Sequence, residues 1–197
     1  MEAWLLTLAD SPWVYPGMLL FALLDGFFPP VPSEVALLGL ASLAVASGNP
    51  DLVPLLAVAI VGAFLGDLVA YGIGTRVDVH RIPLLRAGRG ARMLEWAERS
   101  LRTRGRTFLL AGRFIPAARV AINAAAGALG YPLRRFAGVA AIGSTVWALY
   151  SAAIGIGAGT WYRGHPVAAV AVGVVAGLLI GLVLDAVFAR SERRVPR

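Results

Sequence analysis

Arg113-Phe114-Ile115-Pro116-Ala117-Ala118-Arg119 puts two permanent charges and a helix breaker inside a run, Thr107 to Tyr131, that is otherwise almost wholly apolar. At the centre of a lipid-facing helix an arginine costs about 2.5–3.5 kcal/mol on insertion scales, and a proline frees a backbone carbonyl that hydrocarbon cannot satisfy. The stretch therefore reads as part of a re-entrant segment shielded by protein or by a wet cavity.

Composition makes the surrounding chain a membrane protein. Of 197 residues 58% are hydrophobic and 15% charged, with a mean hydropathy of +0.75. One polytopic membrane domain is the expected organisation. The chain has no cysteine, and its two histidines, His80 and His165, lie at segment ends, so neither a disulfide framework, a metal site nor a cofactor is expected. The net charge is +7 and all 18 basic residues are arginine. Most of them flank apolar runs, which points to the inner membrane face and anionic lipid headgroups rather than to nucleic acid. Glu2 and Asp10, with no basic residue before the first apolar run, do not make the charged start of a cleavable signal peptide, so the N-terminus is expected to be retained.

Residues 1–11 are short and amphipathic, with Trp4, Leu5, Leu6 and Leu8 available to lie at the interface. Pro12 to Phe28 is expected to span, with Trp13 and Tyr15 as interfacial anchors. Asp25-Gly26-Phe27-Phe28-Pro29-Pro30-Val31-Pro32-Ser33-Glu34 then opens an apolar run, Val35 to Ala46, that is too short to cross and ends in Ser47-Gly48-Asn49-Pro50. Phe28 to Ala46 accordingly reads as a broken re-entrant hairpin. Residues 52–75 form a full span with one buried acid, Asp67, and a small-residue face at Gly62 and Gly66. The segment 76–106 holds nine arginines against Asp78, Glu95 and Glu98, a net of +6, and within it Met93, Leu94, Trp96, Ala97 and Leu101 pattern as an amphipathic helix on the membrane surface. Residues 136–160 and 167–189 are further spans, and Arg190, Arg193, Arg194 and Arg197 make a basic tail at 190–197.

Basic clusters belong inside. If Thr107 to Gly130 crossed the membrane, Arg134-Arg135 and the tail would both fall outside; a re-entrant segment keeps them inside, with both termini cytoplasmic. Four spans and two hairpins satisfy every cluster, and the fold expected is all-α. The halves also resemble each other: FPPVPSEVAL at 28–37 and FIPAARVAI at 114–122 share a Phe, a Pro two places on, and a charged residue followed by Val-Ala-aliphatic. The two hairpins enter from opposite sides, so the repeat is inverted, as in many secondary transporters with a site between discontinuous helices.

The candidate constellation is Asp25, Glu34 and Asp67 from the first half with Arg113 and Arg119 from the second, supported by Pro30, Ser33, Tyr71, Pro116 and Trp147. Charges at membrane depth pair with one another or face a cavity. Arginine suits a phosphate because its planar fork gives two parallel charge-assisted hydrogen bonds, and carboxylates there could take up and release protons. The same charges could equally lock two hairpins together. Gly155-Ile156-Gly157-Ala158-Gly159 reads as close helix packing, Trp147 and Tyr150 as packing or interfacial aromatics, and Tyr71 as either a cavity hydrogen-bonder or a core residue. Neither histidine lies near Ser33, Ser42, Ser144 or Ser151 in sequence and no GxSxG occurs, so an enzyme is not expected.

These residues together resemble a known family. Asp25-x8-Glu34 around FFPPVPS, Gly62-x3-Gly66-Asp67-x3-Tyr71-x2-Gly74, Arg113-Phe114-Ile115-Pro116-x2-Arg119 and Gly143-x3-Trp147 are similar to the DedA family, the bacterial branch of the SNARE-associated Golgi (VTT) proteins, over roughly residues 12–165. The resemblance implies opposed re-entrant hairpins in the bacterial cytoplasmic membrane. It also implies proton-dependent transport of a phosphorylated lipid carrier such as undecaprenyl phosphate, with a polyprenyl phosphate or phospholipid and protons as partners and an oligomer compatible with it. The family's acidic pair falls on Asp25 and Glu34, and its arginines on Arg113 and Arg119. Two positions depart from the pattern: Asp25-Gly26 stands where Glu-Asn is common, one methylene shorter, and Ala117 stands where the family usually has glycine. Proton-coupled movement of a small ion or cationic drug, with the carboxylates as the substrate site, and a structural role in the membrane without transport are the competing expectations.

Overall fold

A computed structural model describes the protein over residues 11–28, 31–77, 88–113 and 116–161, with the backbone alone at 88–96, 108, 111–113, 116–118 and 161. The described residues are all-helical: α1 (Val14–Asp25), α2 (Ser33–Ser47), α3 (Leu52–Gly74), α4 (Gly88–Arg113), α5 (Pro116–Ala128) and α6 (Leu133–Trp161). Residues 1–10 of the expected interfacial stretch, the 78–87 part of the arginine-rich loop, and the expected span at 167–189 with its basic tail lie outside the described residues.

Among the described residues, α3 and α6 are the helices long and apolar enough to cross a membrane. Their 23 and 29 residues extend about 35 and about 43 Å, against a hydrocarbon core of roughly 30 Å. On α3 the exposed Val61, Leu65, Val69 and Ile73 recur every fourth residue, while Ala59, Ala63, Asp67 and Ala70 are buried. Large apolar groups outward and small groups inward is the pattern of a helix solvated by lipid and packed on protein. On α6, Ile142, Val146 and Leu149 are exposed while Ser144, Trp147, Ala148 and Ser151 are buried.

Two expected segments differ in length. The run from Pro12 to Phe28 forms a helix of only 12 residues, about 18 Å long, because the chain turns at Gly26 just before the prolines. The break expected within Phe28 to Ala46 precedes the helix: α2 runs unbroken from Ser33, after Pro32, to Ser47. Pro32 stands at the N-cap, and no proline after it interrupts the backbone ladder of α2.

Packing divides the chain into two compact units, one of Met1–Ala22, Val31–Gly62 and Thr145–Arg197, the other of Leu23–Pro30 and Ala63–Ser144. In the first, a Cβ at Gly62 would strike the Leu19 carbonyl of α1, and Cβ atoms at Gly155 and Gly159 would strike the Leu38 and Ser42 carbonyls of α2. The glycine series of α6 thus serves close helix packing. The Tyr15 hydroxyl accepts a hydrogen bond from the Asp51 N–H at 3.0 Å, tying the start of α1 to the turn after α2.

In the second unit Tyr71, Leu101, Leu109, Ala126, Phe136, Val139 and Ala140 form the core, with Phe64, Leu68, Leu110, Ile122, Leu129 and Tyr131 packed around it. Leu101, expected on a helix facing the membrane surface, is 4% exposed and belongs to this core. Of the expected stripe, Leu101 has protein as its partner, while the side chains of Met93, Leu94 and Trp96 lie outside the described residues. The helix α4 also departs from regular geometry at Arg104 (φ −137, ψ 33) before continuing to Arg113.

The internal repeat extends beyond the matched stretches at 28–37 and 114–122. The helices α2 and α5 have 15 and 13 residues. Each ends in a left-handed glycine, Gly48 (φ 88) and Gly130 (φ 68), followed two residues later by a proline and then by a long helix. Only glycine adopts that conformation without strain, so the two stops share one physical cause. In the first unit α2 packs on α6, whereas in the second α5 packs on α3, where Gly74 meets Ala124 and Gly127 meets Tyr71. Each short helix therefore lies on the long helix of the other half.

Candidate functional site

Pro116 opens α5, a position where its missing N–H removes nothing from the helix, and puts Arg119 in the first turn. The Arg119 side chain is almost wholly inside the second unit, 6% exposed. Its Nη2 lies 3.1 Å from Asp25 Oδ2 and donates to the Asp25 backbone carbonyl at 2.7 Å. Its Nε stands 4.0 Å from Asp67 Oδ1 and is buried without a hydrogen-bond partner.

Asn123 lies beside that gap. One turn after Arg119 on α5, it is 5% exposed, and its Nδ2 donates to Asp67 Oδ1 at 2.9 Å. The oxygen nearest the arginine Nε is thus also held by an amide. Beside Asp67, Arg119 and Asn123 lies a cavity of about 10 Å³ closed by Leu109, Leu110, Phe136, Val139 and Ala140, roughly the room one water needs.

Backbone contact places the two carboxylates. A Cβ at Gly26 would collide with Gly66, and one at Gly66 with the Leu23 carbonyl. The Asp25-Gly26 turn consequently sits directly on α3 beside Asp67. A larger residue at 26 would lift the turn away from α3, and Asp25 from this turn reaches Arg119. Removing one partner of such a buried pair strands the other, at a cost of about 3–5 kcal/mol in measured cases.

In the first unit Glu34 lies in the first turn of α2, where a carboxylate is favoured by the helix dipole. Its Oε1 accepts a hydrogen bond from the Tyr150 hydroxyl of α6 at 3.1 Å, while Ser33 and Trp147 are buried. Of the five charges expected as one constellation, Asp25, Asp67 and Arg119 thus come together in the second unit, and Glu34 meets Tyr150 in the first. Arg113 ends α4; its side chain, that of Pro116, and Pro30 lie outside the described residues. Tyr71 takes the packing role: its hydroxyl donates to the Tyr131 carbonyl at 2.6 Å and its ring sits 4.6 Å from that of Phe136. Tyr150, read as a packing aromatic, has a polar role instead. Among the described residues no group of His, Cys, Asp and Glu forms a metal site.

Chemically, the second unit offers an arginine set between two carboxylates and held by one carbonyl, with its Nε–H making no hydrogen bond inside a nearly dry interior. Comparison with known proteins gives this arrangement a family: the VTT domain model matches residues 31–157, well over half of the chain. The chain belongs to the VTT domain family. That match takes in Glu34, Asp67, Arg119, Asn123 and Tyr150, while Asp25 precedes it. VTT domain proteins are membrane proteins, in keeping with the two apolar helices found here. Two relatives, each named alkaline phosphatase-like protein, come from Lactococcus lactis subsp. cremoris (strain MG1363) and subsp. lactis (strain IL1403). Each is 27% identical over 152 residues, covering 74% of this chain and 71% of the relative. No solved structure matches the chain.

Proposed function

We propose that this VTT domain protein moves an anionic lipid phosphate, of the undecaprenyl phosphate kind, across the bacterial cytoplasmic membrane by proton-coupled alternating access. Arg119, with Arg113, grips the phosphate; Asp25, Glu34 and Asp67 exchange protons. Four spans, two opposed re-entrant segments and cytoplasmic termini belong to the same reading. The supporting observation is Arg119 itself, buried, with its Nη2 on Asp25 and its Nε unpartnered. An arginine fork half engaged inside an apolar chain has a donor to offer a phosphate oxygen.

The reaction proposed is translocation without bond cleavage. The relatives' name is compatible with a phosphate-bearing substrate. Hydrolysis would ask for a nucleophile beside a base, whereas the cluster consists of an arginine, two carboxylates and an amide. The ion pair favours one second reading, in which the charges only hold the bundle together. Uptake of a labelled polyprenyl phosphate into vesicles reconstituted with the protein separates the readings. Lipid uptake that follows an imposed proton gradient fits transport of the lipid. Proton flux driven by small cations fits a cation transporter, and neither activity leaves the structural role.

A further inference from the structure

A second basic feature of the second unit lies outside the Arg119 cluster. Two adjoining clefts, of about 470 and about 500 Å³, share Leu101, Arg102, Tyr131 and Arg135. Arg104 and Arg106 complete the arginine wall, and among the described residues Glu98 is the one acid in either lining. All four arginines are exposed.

The cleft has a fixed frame. Tyr131 stands between the two lobes, and three contacts hold it: its N–H donates to the Ala126 carbonyl at 2.9 Å, its own carbonyl accepts the Tyr71 hydroxyl at 2.6 Å, and its ring lies so close to Gly105 that any side chain there would strike it. The departure of α4 from helical geometry falls at Arg104, so the arginines on either side are not disposed as on one regular helix. Leu101, Ala128 and Leu129 supply an apolar floor to one lobe.

Its position says what fits. Arg135 is in the first turn of α6, which at about 43 Å exceeds the hydrocarbon thickness by several residues at its ends. The ends of a spanning helix of that length come to headgroup level, where tyrosine and arginine also concentrate. Charge, apolar floor and depth therefore agree on one occupant. We propose that this arginine-walled cleft docks the phosphate-monoester headgroup of an anionic membrane lipid, at a site separate from the buried Arg119 cluster. The docking does not depend on the transport reading.

Native mass spectrometry of the detergent-purified protein, titrated with dioleoyl phosphatidic acid and in parallel with dioleoyl phosphatidylcholine, tests it. The triple variant Arg102→Gln, Arg104→Gln, Arg135→Gln is expected to bind one phosphatidic acid fewer than wild type, or to bind that molecule about tenfold more weakly, since charge and fork both go. Its phosphatidylcholine binding and unfolding temperature are expected to stay unchanged, because the altered side chains are exposed. Equal phosphatidic acid binding by both proteins overturns the proposal. So does competition by inorganic phosphate as effective as that of the lipid, which would mark a free-anion site. Failure of lipid uptake in vesicles leaves this count unaffected, so the two ideas fail separately.

Discussion

Asn123 carries the least conspicuous role in the buried cluster. Its amide holds the Asp67 oxygen that Arg119 Nε approaches. Asn123→Ala should lower stability by about 1.5–3 kcal/mol, the range for hydrogen bonds to charged groups, read as a fall in the unfolding midpoint in detergent. Asn123→Asp should cost more, because it sets a second carboxylate beside Asp67. A pair exchange, Asp25→Arg with Arg119→Asp, should recover stability that Arg119→Asp alone loses, as measured by the same unfolding assay. The three charges were legible in sequence because each stands out against an apolar background. Asn123 was not, since a neutral amide in an alanine-rich helix has no such contrast. Its one signal is spacing: four residues after Arg119, it shares that residue's helix face. Tyr150 escaped for a related reason, because an aromatic in a span is usually packing.

Helix contacts here depend on missing Cβ atoms. Gly66→Leu would drive a side chain into the Leu23 backbone, and Gly159→Leu into that of Ser42. Each is expected to cost more than the roughly 1–3 kcal/mol typical of overpacking and to deplete the monodisperse peak in size-exclusion chromatography. Gly72→Ala and Gly157→Ala, with nothing within 4 Å of the added atom, should leave that peak intact. The small-residue face of α3 and the two long helices were readable from composition and spacing alone. The extent of α4 and the burial of Leu101 were not, because an apolar stripe looks the same whether it faces lipid or a protein core. The proline run marked a break correctly but did not say on which side of it the helix would lie.

For the whole molecule, the two halves repeat a short helix, a left-handed glycine stop and a long helix, with each short helix packed on the other half's long one. On the proposed topology that repeat is inverted, so the two glycine stops should face opposite sides. Single cysteines at the exposed Ser47 and Pro132, in a chain with none of its own, should react with an impermeant reagent from outside and from inside respectively; labelling from the same side would remove the inversion. The central claim is that the Arg119 fork grips a lipid phosphate. It is tested most directly by proton-driven uptake of labelled polyprenyl phosphate in vesicles carrying equal amounts of wild type and Arg119→Lys. A lysine keeps the charge but not the fork, and the predicted result is a fall of about tenfold or more in uptake; an unchanged rate would contradict it.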